Sequence, residues 1–346
     1  MSGASADVFP ADELRWDDRV VVITGAGRNL GREYALLLAS RGARVVVNDL
    51  GVAISDTDGS GDAPAENPAV AVVEQIAAAG GEAVVSTDSV ATEAGGAAIV
   101  ATALDTWGRV DAVVNNAGVV RQAAFEDYDD TLLWPILESQ IGGHFHVTRA
   151  AWPAMQAQGY GRVLNLSSGA GLWGVATMAG YSAAKMAIVG LTRALGQEGA
   201  SHGITVNAIA PCAKTRPGGF GPIPASPELH AWLSLDVVAP IATWLIHEQC
   251  TTTGECFTVG GGYAGRVSVA VNDGHRWERP LTIEAVRDAW DDVMTDGPWT
   301  GLAAGQGDLE RVLAGFPGTA TSGLAESGLA ESGLAESGLA ESGSGG

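Results

Sequence analysis

Residues 19–42, RVVVITGAGRNLGREYALLLASRG, decide the fold. The first six form a short β-branched run bounded by charge and glycine, which is how a buried strand reads. A glycine turn, Gly25-Ala-Gly-Arg-Asn-Leu-Gly31, then leads into an amphipathic helical segment closed by Gly42. Strand, glycine turn and helix, in that order, is the context in which a Gly-rich motif means dinucleotide binding. The glycines let the backbone approach a pyrophosphate, and the helix start offers it unpaired N–H groups and a positive dipole end. Gly25, Arg28, Asn29, Leu30 and Gly31 are therefore candidates for cofactor binding.

The same alternation continues downstream. A second strand, 43–47, ends at Asn48-Asp49, and a carboxylate there can hydrogen-bond both ribose hydroxyls while repelling a 2′-phosphate. Asp49 favours NAD; Arg28 pulls toward NADP, because a cation in the glycine turn could hold that phosphate. Asp49 weighs more, since Arg28 could simply point at solvent. A long polar Gly/Asp/Pro loop (51–68) precedes a helix at 69–79. Strands follow at 83–86, leading to Asp88, Ser89 and Val90, and at 110–114, leading to Asn115-Asn116-Ala117-Gly118, with a helix at 92–107 between them. A long helix over 129–157 is expected to break near Pro135 and Gly142-Gly143. Strands at 163–166 and 204–209 (ending at Pro211), a helix at 236–248 and a strand at 257–259 complete the series. This is an α/β pattern: one doubly wound parallel sheet with helices on both faces. By the switch-point rule its ligand lies at the carboxyl ends of the strands, where Gly25, Asp49, Asn116, Ser168 and Pro211 fall.

The chemistry resides in 163–190, VLNLSSGAGLWGVATMAGYSAAKMAIVG. If the segment from Tyr181 is helical, Tyr181 and Lys185 lie one turn apart on one face. A free tyrosine, with a pKa near ~10, is a poor acid–base group at neutral pH. A lysine ammonium one turn away favours the phenolate and brings it toward the working range. Ser168, at a strand end, is placed to hold a substrate oxygen. With five Tyr and two Lys in the chain, a chance YxxxK is expected only about 0.03 times. The spacing therefore points to proton exchange with an alcohol or ketone.

Composition narrows the rest. The formal charge of −21 argues against nucleic acid as a partner and suits a cytoplasmic or salt-adapted protein. No 18-residue apolar run is present, so no membrane span is expected, and the acidic N-terminus does not read as a signal peptide. Cys212, Cys250 and Cys256 imply no disulfide framework. The six histidines do not cluster, so no metal is assigned; His144 and His146, two apart, read as packed or surface residues. Residues 1–15 read as a loose arm, 16–264 as the main domain, and 265–296 as an extension with a strand-like patch (RVSVAV) and a helix from Thr282. Residues 297–346 read as a low-complexity tail in which GLAES repeats four times, with neither helical nor strand period. The Pro/Gly-rich 212–230 segment reads as a lid over a substrate.

These motifs resemble the short-chain dehydrogenase/reductase family over about residues 16–265. Thr24-Gly25 to Gly31 is similar to its cofactor turn, Asn115-Asn116-Ala117-Gly118 to its NNAG motif, and Ser168, Tyr181 and Lys185 to its catalytic triad. The resemblance implies that Tyr181 is the acid/base, Ser168 orients the substrate oxygen, and Lys185 holds the nicotinamide ribose. It also implies that Asp88, Ser89 and Val90 flank the adenine. A narrower likeness, carried by VVVNDLG, HFHVTRAAW, YGRVLNLSSGAGLWG and WERPLTIEAVRDAW, is to the (3R)-hydroxyacyl-CoA dehydrogenase domain of peroxisomal multifunctional enzymes type 2. That group is dimeric and has bacterial relatives acting on hydroxysteroids, so a homodimer or homotetramer is expected here. Three positions depart from the pattern: Asn29 for a glycine, Gln140 for the asparagine that supports a water-mediated proton path, and Cys212 for the glycine after Pro211.

The expectation is an NAD(H)-dependent oxidoreductase acting on a small molecule, with a 3-hydroxyacyl-CoA first and a hydroxysteroid or other bulky alcohol second. Trp173, Trp232 and Trp244 suit either, and Arg121, Arg216 and Arg266 are the candidates for CoA phosphates. A cofactor-binding sensor without turnover is the alternative of another class; the intact Ser168, Tyr181 and Lys185 set speaks against it.

Overall fold

The computed structural model describes residues 13–52, 66–213, 231–278 and 280–301. Most of the expected arm, most of the 51–68 loop, nearly all of the 212–230 segment with Arg216, and the repeat tail lie outside the described residues. The chain divides into two compact units at Ser268–Val269.

The first unit is an eight-stranded sheet in the order β3-β2-β1-β4-β5-β6-β7-β8. Its strands are β1 (Val20–Thr24), β2 (Arg44–Asn48), β3 (Glu82–Ser86), β4 (Ala112–Asn115), β5 (Gly161–Leu166), β6 (Ile204–Pro211), β7 (Cys256–Gly260) and β8 (Tyr263–Val267). Neighbours from β3 through β7 pair in parallel, while β8 is an antiparallel edge strand on β7. The parallel register lines up the carboxyl ends: Thr24 beside Asn48, Asn48 beside Ser86, Asn115 beside Asn165, and Leu166 beside Ile209. The sheet changes direction of growth between β1 and β4, and the crevice there is where a doubly wound sheet binds ligand.

Alternation along the strands builds a core on each face. Val21, Ile23, Val45 and Val47 pack on one side with Leu30, Tyr34 and Leu38 of α1 (Asn29–Ser40). Val20, Val22, Val46, Val113 and Val163 pack on the other with α3 (Glu93–Trp107) and α5 (Gly143–Gln158), through Ile99, Ala103, Val147 and Met155. Each fully buried branched side chain contributes about 1.5–3 kcal/mol, which is why nearly continuous Val/Ile runs tolerate no charge here. Further helices among the described residues are α2 (Pro68–Ala78), α4 (Asp130–Leu137), α6 (Gly169–Trp173), α7 (Ala179–Glu198) and α8 (Ala239–Trp244).

The expected break in the 129–157 helix is instead a π-turn, Glu138–Gly142, joining α4 to α5 without a gap. The extra residue in that turn widens the helix where it passes the strand ends, which a mid-helix bulge does at functional sites. The helix expected at 236–248 is shorter, because only Ala239–Trp244 is α-helical. The 266–271 patch does not form one strand: residues to Val267 finish the sheet, and Ala270–Val271 (β9) belongs to the second unit.

In the second unit β9 pairs antiparallel with β10 (Thr300–Gly301). The helix expected from Thr282 is two short pieces, α9 (Ile283–Asp288) and α10 (Trp290–Met294). Thr282 caps the first by accepting from the Ala285 N–H, and the Trp277 Nε1–H donates to the Ala285 carbonyl.

Candidate active site

At the end of β5, Ser167 Oγ donates to the Lys185 carbonyl at 2.7 Å and fastens α7 to the strand. Ser168 is in extended conformation and caps α6, its Oγ accepting from the Ala170 N–H at 3.2 Å. Tyr181 and Lys185 occupy the first two turns of α7, as the spacing predicts. Lys185 is buried, an uncommon state for a lysine and one that requires hydrogen-bond partners. Its Nζ donates to the Leu166 carbonyl at 2.5 Å and lies 5.6 Å from the centroid of the Tyr181 ring.

A buried polar ladder supports this corner. Asn115 Nδ2 donates to Thr148 Oγ1 at 2.8 Å and to Asn165 Oδ1 at 2.9 Å, and Asn165 Nδ2 donates to Thr192 Oγ1 at 2.9 Å. The ladder ties α5, β4, β5 and α7 together, and each bond is worth about 1 kcal/mol net. Sequence reasoning passed over Asn165, Thr148 and Thr192. The available signal was an asparagine inside an apolar strand, and a threonine seven residues after Lys185 on the same helix face.

Gln140 lies on the π-turn with its carboxamide against the backbone of Gly118, its Nε2 donating to the Val119 carbonyl at 2.9 Å. Ser139 Oγ accepts from the Val119 N–H at 3.1 Å and donates to the Pro135 carbonyl at 2.6 Å, so 118–119 is clamped to the turn from two sides. The Gln140 backbone carbonyl takes two donors, the Gly143 N–H and, at 2.6 Å, Nδ1 of the buried His144.

The glycine turn is held from β4. Thr24 Oγ1 accepts from the backbone N–H groups of Asn116 and Ala117, each at 3.0 Å. Asn116 Nδ2 donates to the carbonyls of Thr24 (2.9 Å) and Gly25 (3.0 Å), so its amide shapes the turn. Gly25 sits at φ +63°, and Asn29 stands at φ +48°, the left-handed region that asparagine tolerates best among side chains other than glycine. A Cβ on Gly31 would collide with the Gly25 carbonyl and lie 2.7 Å from Asn116 Nδ2, so only glycine permits this approach. Leu30 points into the core.

The start of α1 has no side-chain cap and no acidic residue in its first turn. Its N–H groups and dipole are thus presented as a pyrophosphate would need them. Asp49 accepts from the Gly27 N–H at 3.2 Å through Oδ2 and from the Gly51 N–H at 2.9 Å through Oδ1. Arg28 does not simply face solvent: its Nη2 donates to the Val52 carbonyl at 2.9 Å and lies 3.9 Å from Asp49 Oδ1. Asp88 accepts Asn48 Nδ2 on its carbonyl at 3.0 Å, Ser89 Oγ accepts from the Ala91 N–H, and Val90 is buried against Gly143. Pro211 closes β6. A glycine cradle, an uncapped helix start and a carboxylate at the end of β2 fit a dinucleotide.

Arg121 Nη1 donates to the Val120 carbonyl, and Arg266 pairs with Glu255 at 3.5 Å. Trp173 follows Ser168 on α6 and is exposed, as is Trp232. Trp244 stacks on His247, which meets Trp16 edge-on, beside a polar cleft of about 510 Å³ at the amino ends of the strands. It is thus placed away from Tyr181. Among the described residues no helix is long and apolar enough to cross a membrane.

Residues 19–216 match the profile of the short chain dehydrogenase family. The chain is 43% identical over 276 residues to a short-chain type dehydrogenase/reductase of Mycobacterium tuberculosis, covering 80% of this chain and 94% of that one. It is likewise 43% identical over 295 residues to peroxisomal multifunctional enzyme type 2 of Mus musculus, covering 82% of this chain but 37% of the larger protein. Among solved structures it resembles a short chain dehydrogenase from Mycobacterium avium, with TM-score 0.70, 32% identity, and coverage of 84% of this chain and 99% of that one. It also resembles full-length peroxisomal multifunctional enzyme type 2 from Drosophila melanogaster, with TM-score 0.71, 32% identity, and coverage of 87% and 50%. On fold, cofactor turn and sequence match together, the chain belongs to the short-chain dehydrogenase family of oxidoreductases.

Proposed function

We propose that the protein is an NAD(H)-dependent dehydrogenase that interconverts a secondary alcohol and a ketone, with a 3-hydroxyacyl-CoA and its 3-oxoacyl partner as substrates. The observation that carries the reaction type is the buried Lys185 ammonium beside the Tyr181 phenol. When bound, a nicotinamide supplies the acceptor for the hydride of the carbinol carbon. Tyr181 takes the hydroxyl proton in oxidation and returns it in reduction. Lys185 favours the phenolate by its charge and holds the nicotinamide ribose, and Ser168 donates to the substrate oxygen. Gln140 shapes the wall behind them through 118–119.

Asp49 supports NAD over NADP. Two of its lone-pair positions hold the turn, the others would accept from the ribose hydroxyls of a bound cofactor, and its charge would repel a 2′-phosphate. Arg28, drawn toward that carboxylate, is engaged by it. Gly25, Asn29, Leu30 and Gly31 form the pyrophosphate turn, Asp88, Ser89 and Val90 flank the adenine, and Asn116, Ala117, Gly118 and Pro211 border the nicotinamide side.

The acyl-CoA substrate class rests on the likeness to multifunctional enzymes type 2, of which this chain covers a part. A hydroxysteroid is the second reading. Exposed Trp134, Phe145 and Met186 on α4, α5 and α7 support association of copies, as a homodimer or homotetramer, and the acidic composition supports a cytoplasmic location. NADH absorbance with acetoacetyl-CoA against a 17-ketosteroid tests the substrate. Turnover of the thioester supports the first choice, turnover of the steroid alone replaces it, and NADH binding without turnover of either favours a sensor.

A further inference from the structure

Thr177, four residues before Tyr181, carries a backbone conformation that its own side chain disfavours, with φ at +66°. A β-branched residue in the left-handed region is an outlier that surrounding contacts must enforce. Thr177 is the third residue of the turn Val175–Met178, closed by the Met178 N–H donating to the Val175 carbonyl at 3.1 Å. A positive φ at that place of a turn belongs by preference to glycine or asparagine. The turn joins α6, which Ser168 caps, to α7, which carries Tyr181.

The contacts that hold it come from residues 121–128. The Ala123 N–H donates to the Thr177 carbonyl at 2.9 Å. The Tyr128 hydroxyl lies 3.4 Å from the same carbonyl and 3.3 Å from that of Arg121, so its one proton is shared between them. The Tyr128 ring also borders Gly180, the residue before Tyr181. A Cβ on Gly180 would lie 3.2 Å from Tyr128 Cε1 and 2.9 Å from Leu133 Cδ1. Tyr128 itself is placed by α4, whose cap, Asp129, accepts from the Thr131 and Leu132 N–H groups. Tyr128 and Leu133 occupy the two places around that cap whose apolar side chains commonly pack together.

The first turn of α7 lacks local support. Its cap position, Met178, makes no side-chain cap bond, and the turn holds no acidic residue. One turn further on, Ser167 Oγ and the Leu166 carbonyl fasten Lys185 to β5. Lys185 therefore keeps its place when the Thr177 turn relaxes, and Tyr181 does not.

We propose, on the reading of Tyr181 as the acid/base given above, that Tyr128 is a positioning residue for Tyr181. It holds Thr177 in the left-handed conformation and seats Gly180, and so aims the phenol at the oxygen that Ser168 binds. Without Tyr128 the turn relaxes toward negative φ and the head of α7 shifts. Thr177→Gly takes up the left-handed conformation unaided, so it removes the need for this hold.

The test measures kcat, substrate KM and the NADH dissociation constant for acetoacetyl-CoA reduction by the full chain. Tyr128→Ala is expected to lower kcat by about tenfold or more with both constants within about twofold of the parent, because a misplaced reacting group slows the chemical step. Tyr128→Phe keeps the ring on Gly180 and loses the hydroxyl, for an expected loss of about fivefold in kcat. Adding Thr177→Gly to Tyr128→Phe is expected to restore kcat to within about twofold of the parent, since glycine needs no enforcement at that φ. Adding Thr177→Val, which keeps the β-branch, is expected to restore nothing. An unchanged kcat in Tyr128→Ala, or a Tyr128→Phe loss that Thr177→Gly leaves unrepaired or Thr177→Val repairs equally, overturns the proposal.

Hydrogen exchange reads the same hold without any substrate. The Ser182 N–H donates to the Met178 carbonyl at 2.8 Å within the first turn of α7. Its exchange is expected to quicken by about fivefold or more in Tyr128→Phe and to slow again when Thr177→Gly is added. An unchanged Ser182 exchange rate in Tyr128→Ala contradicts the proposal. Turnover surviving in Tyr181→Phe would refute the underlying reading instead, and exchange would still judge whether Tyr128 holds the head of α7.

Discussion

Lys185 Nζ stands 5.6 Å from the centre of the Tyr181 ring while it donates to the Leu166 carbonyl at 2.5 Å. The lysine is thus fixed by the strand end, and its charge is delivered to the phenol from a set position. Lys185→Met is expected to lower kcat by about 10²-fold or more and to weaken NADH binding. The melting temperature should stay within a few degrees, because removing a buried charge offsets the lost hydrogen bond. Steady-state kinetics and a thermal melt on one preparation check both halves.

The Arg28–Asp49 contact makes a separate prediction. Asp49→Ala removes a carboxylate that repels a 2′-phosphate and at once releases the arginine it engages. The ratio of kcat/KM for NAD over NADP is expected to fall by at least about tenfold, the equivalent of about 1.4 kcal/mol. Arg28→Ala should move the ratio the other way. An unchanged ratio in Asp49→Ala would refute the assignment of NAD.

At the opposite strand ends Asp111 is buried, yet it accepts from Arg19 (3.2 Å), from Arg109 Nε and Nη2 (2.8 and 2.7 Å) and from the Val20 N–H (2.9 Å). Asp111→Ala leaves those donors around a cavity. Because the arginines are partly exposed, a loss of about 3 kcal/mol is expected, the low end for a broken buried pair. Urea titration measures it, and kcat at 25 °C should be unaltered.

Stability should also depend on pH through His144. Its folded pKa, about 3, lies below the unfolded value near ~6.5, so the unfolded chain binds the proton first. Stability is full above pH ~6.5 and is lost as pH falls toward the folded value, by up to about 1.4 kcal/mol per unit. Between pH 6.5 and 5 most carboxylates remain ionised, so the His144 contribution stands out there. Urea midpoints over that window should fall more steeply in the parent than in His144→Phe; equal slopes would contradict the shift.

Much of this architecture was legible in local pattern. The β-branched runs, the glycine turn, Asp49 and the Tyr181–Lys185 spacing each follow from a period of two or of 3.6 and from residue type alone. The register of the π-turn was not, since Pro135 and Gly142-Gly143 signal a disturbance without saying whether the helix stops or widens. The tie between Gln140 and His144 depends on that register. Likewise the Asn115–Asn165–Thr192 ladder joins residues far apart in sequence, so only the parallel pairing of β4 with β5 brings them together. Trp244 looked like substrate lining in one dimension and packs on His247 in three. The edge strand β8 was misplaced because Gly260, Gly261 and Gly262 make a tight return that the downstream RVSVAV pattern obscures.

In the proposed reaction the Tyr181 phenol exchanges the proton while other residues bind the cofactor. The direct measurement pairs NADH titration with turnover of acetoacetyl-CoA in Tyr181→Phe. Turnover lower by about 10³-fold or more, with the NADH dissociation constant within about threefold of the parent, is the expected result. Turnover within tenfold of the parent would contradict it.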